Sequence, residues 1–226
     1  MNNIIKSSEK GNLVVISGPS GAGKGTIIEK LKEINSNFWL SISMTSRSIR
    51  GNDIPGETYF FVSREEFEER ISNGVFLEYA EYSGNYYGTP KDKILDKLNE
   101  GIDVILEIEI QGALKIKELV PDAIFIFILP PSMDELRHRL INRGTDSKDK
   151  ILSRFKRAYQ EINEVTKYNY VVINDGINKA VSKVNAILLS ERCRVDRIEE
   201  VFLNNMEEEL HEILVDRNLD NVDRQL

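Results

Sequence analysis

Thirteen residues near the start of the chain limit the folds open to it more than any others. Val14-Val15-Ile16-Ser17 reads as an apolar strand, Gly18-Pro19-Ser20-Gly21-Ala22-Gly23 as a glycine-rich turn, and Lys24-Gly25-Thr26 as the opening of a helix. Successive backbone N–H groups in such a turn converge on an anion, and the helix N-terminus adds the positive end of its dipole. A cation in a helix's first turn is disfavoured unless an anion sits there, so Lys24 is the telling residue. The pattern is GxxxxGK, a nucleotide phosphate loop. Gly25 stands where a Ser or Thr hydroxyl often meets Mg²⁺, with Thr26 one place later.

The rest of the chain extends this start into an α/β alternation. Apolar, β-rich runs lie at 13–17, 104–110, 123–129 and 170–173, and their near-continuous hydrophobicity fits parallel strands buried on both faces. Helical patterns separate them. One follows the loop over Lys24–Asn35. A second opens at Thr89-Pro90 as N-cap and first-turn proline and closes at Gly101. A third opens on the capping box Ser132-Met133-Asp134-Glu135 and ends at Arg143-Gly144. Together these predict a three-layer α/β sandwich around a parallel sheet. Residues 40–88 break the alternation. They are polar and aromatic-rich, with a strand-like Tyr59-Phe60-Phe61-Val62 and a capping box at Ser63-Arg64-Glu65-Glu66, and read as a small, partly β insertion. Residues 144–168 read as a basic helical excursion. From about 177 onward one or two long helices are expected, with Val195, Ile198, Phe202, Met206, Leu210 and Ile213 near helical spacing. Such a helix packs back on the core or pairs with a second copy, so the chain is expected to be a monomer or a homodimer.

Charge and cysteine content narrow the classes. The net charge of −7 belongs entirely to residues 199–226, where nine acids face two bases; residues 1–198 balance. Within the balanced part, residues 137–157 hold eight Lys or Arg and two acids, a local positive segment suited to a small polyanion rather than to nucleic acid. Cys193 is the sole cysteine, which excludes an internal disulfide, and with only two histidines a Cys/His zinc site is not expected. The opening residues carry no signal-like apolar region, and no run approaches the roughly 20 apolar residues that span a bilayer. No membrane partner is expected, and a cytoplasmic location is.

Taken singly, Arg47, Arg50, Tyr59, Glu78 and Tyr87 read as ordinary surface or core-edge residues. Together with the loop they form a pattern: Ser43-x-Thr45-x-Arg47-x-x-Arg50, then Phe76-Leu77-Glu78 leading into Ser83-Gly84-Asn85-Tyr86-Tyr87-Gly88. Leu106-Glu107-Ile108-Glu109-Ile110-Gln111-Gly112, Pro130-Pro131-Ser132 with Arg143-Gly144-Thr145, and Val172-Ile173-Asn174-Asp175 complete it. In order, from about residue 11 to about 195, the chain resembles the guanylate kinase family.

That resemblance implies transfer of the γ-phosphoryl group of ATP to GMP, with dGMP accepted as well, and with Mg²⁺ accompanying ATP. It implies a P-loop kinase fold divided into core with phosphate loop (11–42), GMP-binding insertion (43–89), core (90–137), helical lid (138–168), core (169–198) and an acidic helical extension (199–226). ATP would meet Gly18, Pro19, Ser20, Gly21, Ala22, Gly23, Lys24, Gly25, Thr26, Arg139 and Asn174. GMP would meet Ser43, Arg47, Arg50, Tyr59, Glu78, Tyr87, Thr89, Glu107 and Glu109, with the arginines and tyrosines on its phosphate. Lys24, Arg47, Arg143 and Arg154 would act on the transferred group. With Gly25 lacking a hydroxyl, Mg²⁺ is expected to be held mainly by phosphates and water, with no dedicated protein ligand set. The physics of guanine agrees: its N1–H and N2–H₂ donate to a carboxylate such as Glu78 and its O6 accepts from a hydroxyl such as Thr89, whereas adenine turns a bare lone pair toward that carboxylate. The alternative is a non-catalytic, peptide-binding scaffold of the same family, against which the intact loop and arginines weigh.

Overall fold

Strands without polar residues on either face are expected inside a sheet covered on both sides. Three of the four apolar runs are, while the fourth, 170–173, is an edge strand with Val171 and Ile173 exposed on one face. The computed structural model describes residues 5–7, 10–51, 53–82, 84–142 and 148–201. Along them lie β1 (Ile5–Ser7), β2 (Leu13–Ser17), α1 (Lys24–Ile34), β3 (Phe38–Leu40), β4 (Met44–Thr45) and β5 (Phe60–Phe61). Next come α2 (Arg64–Ser72), β6 (Phe76–Tyr82), β7 (Asn85–Pro90), α3 (Asp92–Asn99), β8 (Asp103–Glu107) and α4 (Ile110–Leu119). The chain continues through β9 (Ile124–Leu129), α5 (Met133–Asn142), α6 (Lys148–Ile162), β10 (Tyr170–Ile173), α7 (Ile177–Glu191) and β11 (Ile198–Val201).

Contacts divide the chain into a large unit, Glu9–Glu191, and a second made of Met1–Ser8 with Arg192–Leu226. In the large unit five strands run parallel in the order β10-β9-β2-β8-β3. Alternate residues feed opposite faces. Val14, Ile16, Ile126 and Ile128 pack under α1 and α7 with Ile27, Leu31 and Val184. Val15, Leu106 and Phe125 pack on the other face with Ile94 from α3 and Ile116 from α4. This is the expected three-layer arrangement, and it places the C-terminal ends of β2 and β8 together, where α/β sheets bind ligands.

The insertion is a second sheet, ordered β5-β4-β7-β6, with α2 against it. Phe67 of α2 is fully buried and stacks between Phe76 and Tyr86, at 4.4 and 5.2 Å between ring centres. The predicted box caps α2: the Glu66 N–H donates to Ser63 Oγ at 3.0 Å. Helices α5 and α6 share a small core of their own, Leu136, Leu140 and Ala158 with Met133, Ile151 and Phe155.

Three local expectations are corrected, and one strand was not anticipated. Thr89-Pro90 does not open a helix: both residues end β7, where Thr89 pairs with Glu78, and α3 begins at Asp92. The Thr89 hydroxyl donates to the Glu78 carboxylate across the β6–β7 ladder, which holds the residue as strand rather than as a helix cap. The strand expected over 104–110 stops at Glu107, because the Ser17 hydroxyl takes the Ile108 carbonyl and Glu109 becomes the N-cap of α4. A three-residue edge strand, Phe38–Leu40, carries too little pattern to announce itself. Finally, the helix expected across Val195 and Ile198 is a 3₁₀ turn, Val195–Arg197, followed by β11, whose backbone pairs antiparallel with β1. The rest of the acidic extension, with Phe202, Met206, Leu210 and Ile213, lies outside the described residues.

Candidate active site

The phosphate loop joins β2 to α1, and its shape comes from glycine. Gly23 has φ +93°, and a Cβ there would lie 2.5 Å from the Asn174 side-chain nitrogen, so no other residue fits. Asn174, buried at the end of β10, donates from Nδ2 to the Ala22 carbonyl at 2.9 Å. Arg139 of α5 reaches the same carbonyl at 3.4 Å and the Asn174 carbonyl at 3.2 Å, while Glu135 holds its Nε at 2.8 Å. Both residues expected at the ATP site therefore brace the loop from behind. Lys24 Nζ folds back on the Gly18 carbonyl at 2.7 Å and the Pro19 carbonyl at 3.4 Å, occupying acceptors that stand in for phosphate oxygens. Gly18, Pro19 and Ala22 are buried, Ser20, Gly21 and Gly25 are half-buried, and Thr26 is exposed at the head of α1.

Glu107 faces that head from the end of β8. Its carboxylate oxygens lie 3.8 and 3.9 Å from where a Gly25 Cβ would be. The side chain is open to the cleft, yet protein crowds its carboxyl closely enough that burial pushes its pKa up, against the pull of Lys24 and helped by Glu29 and Glu109.

Across the cleft the insertion supplies a cationic, aromatic cage. Arg47 is 8% exposed and lies 5.4 Å from the Tyr59 ring centre and 5.6 Å from that of Phe61. Tyr59 meets Tyr87 edge to face at 5.9 Å. Burial pushes the Tyr59 hydroxyl up to about 12, so it keeps its proton and remains a donor; the charges of Glu107 and Glu109 also act on it, which sets the insertion's cage opposite the core's carboxylates. Arg50 is exposed, with its backbone N–H on Asp53 Oδ2 at 2.6 Å.

Elsewhere in the insertion lies a buried polar pair. Thr89 Oγ1 donates to Glu78 Oε1 at 2.7 Å, and both residues are buried. Burial raises the Glu78 carboxyl, while the Thr89 hydrogen bond and the charge of Lys115 pull it back. Gly112 of α4 makes room for it: a Cβ there would stand 2.8 Å from Glu78 Oε2. Ser43, half-buried, precedes β4 and accepts the Phe60 N–H on its carbonyl. Glu109 does not turn inward with Glu78. Its side chain is half exposed and takes Arg157 Nη2 at 3.3 Å. Arg154 lies half-buried on α6, and Arg143 lies outside the described residues.

Three residues escaped the sequence reading. Asp53 grips Arg47 with both oxygens, at 2.9 and 3.1 Å; its only signal is the spacing three residues after Arg50. Gly112 had a neighbouring motif but no role. Arg157 was one base among eight.

A family model described as "Guanylate kinase" matches residues 10–191. The chain belongs to the guanylate kinase family. It is 55% identical to a guanylate kinase of Clostridium tetani over 208 residues, 92% of this chain and the whole of that one. It is 55% identical to a guanylate kinase of Caldanaerobacter subterraneus over 200 residues, covering 88% of this chain and 97% of that one. The crystal structure of guanylate kinase from Anaplasma phagocytophilum superposes with a TM-score of 0.73 at 34% identity, over 93% of this chain and 97% of its own. The guanylate kinase fold thus accounts for the sheet order, the insertion and the braced phosphate loop described above.

Proposed function

We infer that this chain transfers the γ-phosphoryl group of ATP to GMP, giving ADP and GDP, and that it works in the cytoplasm. The observation that carries the acceptor is the buried Glu78–Thr89 pair facing the core across the cleft. An ionised Glu78 accepts from guanine N1–H and N2–H₂, and Thr89 spends its single hydrogen holding that carboxylate in place. Guanine O6 then takes its donor from Ser43. Adenine would set its N1 lone pair against Glu78, a mismatch that sites built around buried polar groups reject by about 10⁴–10⁵.

Phosphoryl transfer asks the protein for position and charge rather than covalent chemistry. A GMP phosphate oxygen attacks the γ-phosphorus, the bond from that phosphorus to the β–γ bridging oxygen breaks, and ADP leaves with the electron pair. No general base is needed, because the attacking oxygen is already anionic. Lys24 moves from the Gly18 and Pro19 carbonyls to the β- and γ-phosphates. Arg47, oriented by Asp53, holds the GMP phosphate with Arg50, Tyr59 and Tyr87. Arg143 and Arg154 neutralise charge on the transferred group, and Arg139 and Asn174 keep the ATP side in shape.

Mg²⁺ fits the donor set at the head of α1. Glu107 and Thr26 are hard oxygen donors there, Gly25 adds none, and among the described residues no three acids, histidines or cysteines cluster as a metal site. An ion bound with ATP would be held chiefly by phosphates and water, with Glu107 near enough to the head of α1 to take one of those waters. When bound it supplies neutralisation of the developing phosphate charge.

A coupled assay with ATP tests the reading: GMP is turned over, AMP is not, and Lys24→Ala abolishes activity. Equal rates on AMP, or full activity in Lys24→Ala, would overturn it.

A further inference from the structure

One side chain on α6 touches three parts of the large unit at once. Arg157 places its guanidinium carbon 4.0 Å from the Tyr82 ring centre on β6. Its Nη2 lies 3.3 Å from Glu109 Oε2 at the N-terminus of α4, and its Nε donates to Glu161 Oε1 at 2.7 Å, one turn further along α6. Glu161 is 12% exposed on its side chain and Arg157 is 33% exposed, so the Glu161 end is seated in protein while the Glu109 end is half exposed. With Nε fixed by Glu161, the flat face and the far edge of the fork are aimed at Tyr82 and Glu109 together. Only a planar, multi-donor cation can stack and pair in this way at once.

The contacts continue inward. Tyr82 meets Tyr87 edge to face at 6.3 Å, Tyr87 meets Tyr59 at 5.9 Å, and Tyr59 lies 5.4 Å from Arg47. Three packed rings thus form a continuous path of contacts from α6 to Arg47. Charge adds a second reason. The charge of Glu109 reaches Tyr59 in the cage, so an unpaired carboxylate there would oppose an acceptor phosphate held by that cage.

We propose that Arg157 is a positioning residue for the transfer, registering the lid helix on the acceptor half of the site through Tyr82 and Glu109 while neutralising Glu109. It acts on the reaction through those two residues, not by touching the reacting atoms. The proposal rests on the reading of the insertion as the GMP-binding half.

Steady-state kinetics on the full chain test it. Arg157→Met keeps the stem and removes the fork; it is expected to lower kcat about tenfold and raise KM for GMP several-fold, since small misplacements cost up to about 10²-fold in rate. KM for ATP should change less than about twofold, and the melting temperature should hold, because the residue's contacts are partly exposed. Arg157→Lys restores charge beside Glu109 without the fork, and should recover KM for GMP more than kcat. Tyr82→Leu combined with Arg157→Met should be no worse than the poorer single variant. Wild-type kcat and KM for GMP in Arg157→Met overturn the proposal. So does an equal rise in both KM values with a lowered melting temperature, the mark of a merely structural role. Arg47→Ala separates the two levels: if it leaves KM for GMP unchanged, the acceptor reading itself fails, whatever Arg157 does.

Discussion

Glu78 is a carboxylate kept in a buried place where its charge is disfavoured, and we propose that guanine is what engages it. Burial raises its pKa, with Thr89 and Lys115 only partly offsetting that. The folded chain therefore holds this proton more tightly than the unfolded chain. The resulting stabilisation is fully present below the ordinary glutamate value, about 4.3, and is lost as pH rises through the raised folded value. GMP binding runs the opposite way, since only the ionised group accepts both guanine donors. KM for GMP should fall as pH rises through that window, while the ligand-free melting temperature loses the Glu78 contribution. Glu78→Gln should flatten both profiles and weaken GMP by about 10²-fold, as a lost charged hydrogen bond in a buried site does. A pH profile of KM that Glu78→Gln leaves unchanged would rule this out. At this scale the sequence was informative at Lys24, a cation in a helix's first turn, whereas Arg47 and Glu78 read as ordinary singly and stood out only within the longer pattern. It was silent on Asp53, an acid in a polar loop like any other until the chain folds back and sets its two oxygens on Arg47.

The strand, turn and helix around Gly23 form the element that could be read most fully in advance, because its shape is dictated by its own backbone. Gly23 begins α1 at φ +93° and makes room for Asn174. Gly23→Ala forces an L-residue into the left-handed region, costing about 1–2 kcal/mol, and drives a methyl into the amide that holds the Ala22 carbonyl. The variant is expected to melt lower and to lose ATP affinity by about tenfold or more, since the converging N–H groups lose their common focus. Calorimetric titration should show GMP affinity within about twofold of the parent; equal loss of both ligands would mean the loop is not the donor half. Other elements were hidden because their causes are distant. Thr89-Pro90 has the local signature of a helix start, yet the Glu78 carboxylate and the β6 ladder hold it as strand. The β11 strand depends on β1 at the opposite end of the chain, a pairing no local pattern can carry.

The large unit is two half-sites, and its activity depends on their meeting. The sequence named most of both halves but not their relation, which resides in contacts between distant segments: Glu78 against Gly112, Arg157 against Tyr82 and Glu109, and Glu107 and Glu109 acting on Tyr59. Each contact joins two of the three parts, insertion, α6 and core, so filling one half is expected to alter the surroundings of the other. ATP on the loop draws Lys24 off the Gly18 carbonyl and brings negative charge toward the cage of Arg47 and Arg50. GMP in the insertion engages Glu78, which rests on α4. Closing over both also excludes water, which would otherwise accept the phosphoryl group. If the halves close as one body, an unreactive ATP analogue should tighten GMP binding by about tenfold, within the usual range of coupling between sites. Linkage then requires that GMP tighten the analogue by the same factor. Titration calorimetry in both orders measures the two factors independently. Matching factors well above one are expected in the parent chain, with both reduced together in Arg157→Met. Factors of one in both orders would mean that the halves bind independently and that neither the lid helix nor the insertion carries the coupling.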